Sequence, residues 1–444
     1  MRSDDALALI WSGLGGAADD TSQVRFTAEG AMPSVYPTTD LAAASIGAAG
    51  LALAALAGHR GEIAVDRRLA AAWFLSSIRP QGWQVPPTWD AVAGDYQGAD
   101  GWIRLHTNAP HHRRAALAVL GTPPEREAVA EAVRGWPIEA LESAVVEAGG
   151  AAAAMRSAAA WAAHPQGAAV AAEPLVWIEH HPGTPHRPAD PARPLAGIRV
   201  LDLTRILAGP TATRFLAGCG ATVLRLDPPD WQEMSLAPEV TLGKHCARLD
   251  LRRQREVFLA LLADADVLVH GYRPGALDGL GLDAETRRRA RPGLVDVSLD
   301  AYGWTGPWAG RRGFDSLIQM SSGIAEAGMR AAGAAKPVPL PAQALDHATG
   351  YMIAATVLRG LAQGGLRARL SLARTAQLLK EIPAAEAAPA FAPLDDADYA
   401  AEPEHTAWGP QARLTAPLRF DGKPALRWAR AAGPLGSVAA LWPE

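Results

Sequence analysis

Residues 194–229 read PLAGIRVLDLTRILAGPTATRFLAGCGATVLRLDPP, and the rest of the chain is organised around them. Positions 198–203 form a short aliphatic and β-branched run of the kind found in a buried parallel strand. The run breaks at Ala208-Gly209-Pro210. Small residues then predict a helix over about 211–217, ended by Gly218 and Gly220, and a second strand over 221–226 stops at Asp227-Pro228-Pro229. Strand, tight turn, helix and strand open a doubly wound α/β domain, in which ligands bind at the carboxyl ends of the strands. The turn lacks G-x-G-x-x-G, so the usual dinucleotide cradle is missing and a nicotinamide-dependent oxidoreductase gains no support.

Composition bounds the rest. The 444 residues, 49% apolar and 20% charged with a net charge of −4, predict two or three domains and give no reason to expect nucleic acid. Cys219 and Cys246 are too few for a disulfide framework, and the N-terminus does not read as a signal peptide, so a cytoplasmic enzyme is the expectation. The uncharged run 41–58 is just long enough to query as a membrane span, but its alanine and glycine content predicts a buried helix and no membrane association. His111-His112 and His180-His181 have no third ligand at metal-binding spacing and read as surface or loop histidines. Gly-x-Ser-x-Gly is absent, which leaves a serine hydrolase unsupported.

Four further stretches stand in order behind the first. KHCARLDL (244–251) is similar to N-K-R-S-x-x-L-D-L. ADVLVHGYRPGALDGL (265–280) is similar to A-D-V-L-V-E-N-F-R-P-G-x-L-x-x-L. VSLDAYGWTGPWAGRRGFDSLIQMSSG (297–323) is similar to S-I-S-G-F-G-x-x-G-P-Y followed by G-F-D-x-x-x-Q-A-x-S-G. Asp346 opens DHATGYMIAATVLRGLAQGG, which is similar to V-A-D-x-x-A-G-x-x-A-A-x-G-I-L-A-A-L. Together with LDLTRILAGPTAT they make 194–379 resemble the class III CoA-transferases, the group of formyl-CoA transferase, carnitine CoA-transferase and α-methylacyl-CoA racemase.

The resemblance implies a Rossmann-like doubly wound parallel sheet as a large domain, with a smaller α+β domain. It implies transfer of CoA from an acyl-CoA to a carboxylic acid, with CoA thioester as substrate and no tightly bound cofactor. It also implies a homodimer of interlocked chains, although the rearranged order leaves a chain closed on itself equally open. DGWIRL (100–105) resembles the motif that opens the small domain, yet here it precedes the large domain. Asp40 heads a segment that parallels the one after Asp346, with Gly58 aligned to Gly364, which reads as a partial duplication. The expected division is 1–185 for this partial, small-domain region, 191–385 for the CoA-binding domain and 386–444 for a tail returning to it, with a Pro-rich linker over 184–193.

A carboxylate that attacks a thioester must be ionised and close to the carbonyl, and a helix N-terminus favours the charged form. Asp346 and Asp40 both fit, although aspartate is also a common helix cap. The resemblance favours Asp346 as the catalytic residue, with Asp40 the second candidate. It places Thr204, Arg205, Leu207 and Ala208 beside the CoA arm, although Arg205 could equally face solvent or a carboxylate. It brings Lys244 toward a CoA phosphate, Tyr272 and Arg273 near the adenine, and Tyr302 over the pantetheine, with a core role the competing reading for Tyr302. Arg225 ends the second strand where a basic residue could reach a CoA phosphate, with a solvated strand end the competing reading. Racemase members carry G-H-D where this chain has Gly313-Phe314-Asp315. Phe314 cannot carry a proton, and His347 should leave its helix about 100° away from Asp346, so proton exchange at an α-carbon is the lesser alternative. A catalytically inactive CoA-binding subunit is the other.

Overall fold

The computed structural model describes residues 2–383 and 389–443; the start of the tail, 384–388, lies outside the described residues. Its largest sheet has seven strands, numbered here along the chain: β1 (Trp177–His180), β2 (Arg199–Leu203), β3 (Thr222–Asp227), β4 (Lys244–Arg248), β5 (Val267–His270), β6 (Val295–Asp300) and β7 (Leu366–Ser371). Their order is β4-β3-β2-β5-β6-β7-β1, and all neighbours are parallel except the edge pair β7–β1. The six parallel strands therefore follow the 3-2-1-4-5-6 order of a Rossmann-like sheet. Order reverses between β2 and β5, which places the turn after Leu203 and the loop after His270 at the switch point.

The helix after β2 runs Ala208–Gly218, longer than the small-residue reading gave, because Pro210 occupies the first turn, where its missing N–H costs nothing. Two twenty-residue helices pack along one another in the centre of the molecule: Thr38–Ala57, headed by Asp40, and Ala344–Gln363, headed by Asp346. Both enter through nearly the same cap geometry (Pro37 φ −76°, ψ 58°; Gln343 φ −77°, ψ 64°), and both end at a left-handed glycine, Gly58 or Gly364. The Asp40 helix is long and apolar enough to cross a membrane by length and composition alone, but it is apolar all round because it is enclosed by protein. Gly350 lets the Asp346 helix approach the switch-point turn: a Cβ there would stand 2.4 Å from the Ala208 carbonyl oxygen.

Residues 94–154 form the small α+β unit, an antiparallel sheet of Gly94–Gln97, Trp102–Leu105 and Ala152–Ala154 with helices Pro110–Leu120, Arg126–Arg134 and Ile138–Glu147. The other parts of the first region do not stay with it. Strand β1 completes the large sheet, with Glu179 facing Arg367 and Arg369. Ile63–Asp66 pairs with Val24–Thr27 on one side and with tail strand Leu418–Phe420 on the other. Buried Ser77 and Arg413 meet Glu239, which also holds Arg214 at 2.5 Å.

Candidate active site

The switch-point turn is held from several directions. Asp202, at the end of β2, accepts from the Thr204 backbone N–H (2.9 Å) and hydroxyl (2.5 Å) on one oxygen, and from Thr213 (2.5 Å) and Lys244 (3.0 Å) on the other. Burial alone would raise this carboxyl, but Lys244 and Arg225 outweigh it and hold it below its usual value. The turn then passes through Ile206 at φ +67°. A β-branched side chain in the left-handed region is strained, and the strain is retained because the Ile206 N–H donates to Glu233 at 2.6 Å. Glu233 also accepts from Trp231 Nε1 (2.9 Å) and Arg225 (2.7 Å).

Arg205 lies between the rings of Trp231 and Tyr272, 5.2 and 5.1 Å from their centroids, and donates to the Tyr272 hydroxyl at 3.0 Å. Arg205, Leu207, Ala208, Tyr272 and the exposed Arg273 thus gather where the strand order reverses. Three residues expected with them are turned inward. Lys244 is fully buried and directs its ammonium at Asp202, the Pro210 carbonyl and Thr213; with its three protons used inside the chain, it is not free for a phosphate. Arg225 is likewise enclosed, bidentate on Asp227 and paired with Glu233. Tyr302 is a core tyrosine whose hydroxyl meets Ser321 at 3.0 Å.

The two candidate carboxylates differ sharply. Asp40 accepts from Ser3 at 2.6 Å and pairs with Arg67 at 3.1 Å. Asp346, 5% exposed, has no hydrogen-bond or ion-pair partner for its carboxyl among the described residues. Its neighbour is another acid. Asp315, at the start of helix Asp315–Ser321, accepts from the backbone N–H groups of Leu345 (2.8 Å) and Asp346 (3.0 Å) and from Gln319 (2.5 Å). The free donors of the Asp346 helix are therefore spent on Asp315 instead of on Asp346. Contrary to expectation from the helix N-terminus, burial and then the charge of Asp315 raise Asp346 well above the usual carboxylate range; burial lifts Asp315 to about 6. His347 leaves the helix elsewhere, stacked on Phe74 at 4.8 Å and held neutral by burial and Arg214.

Trp231, Glu233, Asp315 and two histidines complete the site beyond the residues read from the sequence. His112, expected at the surface, is 5% exposed, as is His106. His106 stacks flat on Phe314, at 3.7 Å between ring centroids and 8° between planes. Asp315 left a trace in the sequence as the last residue of G-F-D, and His106 stands directly after DGWIRL; Glu233 comes from a segment without a recognisable motif.

Residues 195–380, which hold this turn and both Asp315 and Asp346, match the model of CoA-transferase family III. It is 39% identical over 199 residues to acetyl-coenzyme A transferase nodX of Hypoxylon pulicicidum, covering 43% of this chain and 33% of that protein. It is 32% identical over 198 residues to the succinyl-CoA:glutarate CoA-transferase of Mus musculus, covering 41% and 44%. A crystal structure of Rv3272 from M. tuberculosis aligns at 30% identity over 43% of this chain and 56% of that one, with a TM-score of 0.39. The chain spans less than half the length of the curated relatives it matches.

Proposed function

We propose that the protein transfers CoA from an acyl-CoA thioester to a carboxylic acid, with Asp346 as the nucleophile. The observation that carries this reading is a buried, unpartnered carboxyl inside the family-matched segment, at the end of the molecule where the sheet order reverses. The ionised carboxylate attacks the thioester carbonyl, forming a mixed anhydride and expelling the CoA thiolate. The thiolate attacks the aspartyl carbonyl, which releases the donor acid and leaves an Asp346–CoA thioester. The acceptor carboxylate attacks that thioester to give a second anhydride. Return of the thiolate to its acyl carbon then yields the new acyl-CoA and free Asp346.

Arg205, Leu207, Ala208, Tyr272 and Arg273 are assigned to the CoA arm and nucleotide. Lys244 and Arg225 shape the turn from behind, and Asp315 positions the helix that carries Asp346. Phe314 in place of a base makes α-proton exchange the second reading. The test is intact-protein mass analysis after incubation with a panel of acyl-CoAs and one labelled acid. A CoA adduct on the Asp346 peptide is expected. An adduct on the Asp40 peptide would move the active site to the first region, and α-deuterium uptake without an acceptor acid would favour isomerisation.

A further inference from the structure

The small α+β unit sends two imidazoles against Phe314, the residue before Asp315. Ala151 and Ala153 pack with Leu317 and Met320 of helix Asp315–Ser321, which docks the small sheet against the element that carries Asp315. His106, just past strand Trp102–Leu105, thereby lies flat on Phe314, and His112 stands edge-on to the same ring at 5.8 Å. The Nδ1 atoms of both are buried without a hydrogen-bond partner. Burial pushes both imidazoles down to about 3, with help from His112 and Arg104 at His106, and from His111, Arg312 and Arg273 at His112. A neutral imidazole offers one N–H donor and one acceptor, and a buried polar atom without a partner is costly. Two such atoms beside one ring point to a ligand.

Arg312 supplies the charge. Its neighbour Arg311 is bound to Glu142 at 2.9 Å and stacked on Trp308 at 4.0 Å. Arg312 has no hydrogen-bond or ion-pair partner among the described residues, although it is partly buried, and burial and Arg273 both lower it. The acid that acts on this cluster, Asp230, does so at His111. Arg312 is three residues from Asp315, at most about 11 Å of extended chain. An unpaired guanidinium beside two unpartnered imidazoles suits the second carboxylate of a short acid. We propose that His106, His112 and Arg312 form the subsite for the acceptor acid, and that this acid is a dicarboxylate: one carboxyl meets Asp346 and the imidazoles, and the other pairs with Arg312. The proposal rests on the transferase reading.

The test compares succinate with butyrate as acceptors for the full chain, with acetyl-CoA, formyl-CoA and succinyl-CoA as donors, and measures thermal protection by each acid alone. The parent should prefer succinate, and succinate alone should raise Tm. Arg312→Gln should lower the succinate-over-butyrate ratio of kcat/KM about tenfold or more, abolish the protection by succinate and leave the KM for the donor unmoved. His106→Phe, which keeps the stack on Phe314 but removes both nitrogens, should lower kcat/KM for both acids. A rise in donor KM in Arg312→Gln, with the acid ratio unchanged, would assign the guanidinium to a CoA phosphate and overturn the proposal. Exchange that depends on Asp346 but ignores Arg312 would overturn the subsite alone. Succinate protection that depends on Arg312, with no exchange from any donor, would leave the subsite standing and remove the transferase reading.

Discussion

The Asp40 and Asp346 helices present the same residue, at the head of the same length of helix, in opposite electrostatic settings. Asp40 is neutralised by Arg67 and bonded to Ser3, so its charge is satisfied inside the fold. Asp346 has been stripped of partners, and the backbone donors that would have stabilised its charge are given to Asp315. One carboxylate is a strut and the other is left without a partner. The difference lies in neighbours 27 or more positions away in sequence.

The comparison can be broken most sharply by replacing each aspartate. Asp346→Asn is expected to lower CoA exchange by at least about 10³-fold, while Asp40→Asn should retain exchange in the fraction that folds. Equal loss of exchange in the two variants, at equal folded fraction, would erase the distinction. The next effect is on stability. Lys244→Met strands the Asp202 carboxylate in the core and should cost about 3–5 kcal/mol in denaturant unfolding, without the selective loss of CoA affinity that a phosphate ligand would show. Asp40→Asn should cost less, about 1–3 kcal/mol, because Arg67 loses its charged partner.

Asp346→Asn should move stability the other way. Because both Asp346 and Asp315 are raised in the folded chain, the native state keeps protons that the unfolded chain releases near pH 4. Ionisation of the pair therefore lowers stability as pH rises from about 4 through the folded values. The variant should match the parent below that window and exceed it at pH 7–8, with Tm higher by about 2 °C or more. The smallest effect sharpens the role of Asp315. Asp315→Asn retains an oxygen for the Leu345 and Asp346 N–H groups but removes the like charge, so the acid limb of the pH–rate profile should move to lower pH. A limb that stays in place would mean that burial alone sets the titration of Asp346.

The large sheet was legible in the sequence because strands such as β2 and β5 are largely buried on both faces and read as mostly aliphatic runs between glycine and proline breaks. Asp346 was legible through its place in an ordered series of motifs. The environment that distinguishes it was not. Spacing alone gives Asp40 and Asp346 equal standing, and only tertiary packing brings Arg67 to one and Asp315 to the other. Lys244 and Arg225 misled for the same reason: a basic residue on a strand has no sequence mark that says whether its charge leaves the protein or meets Asp202 and Asp227. The boundaries of the first region were obscured because Trp177–His180 and Ile63–Asp66 find their partners only through long-range pairing.

That pairing has a consequence for how the chain becomes native. Ile63–Asp66 cannot complete its sheet until Leu418–Phe420 arrives, and Arg68 waits for Asp398, 330 positions later. Closing loops of this length precedes the gain from the contacts they bring together. The Asp40 helix, apolar on every side, therefore leaves the ribosome long before its cover exists. During synthesis that helix is the segment most in need of a chaperone.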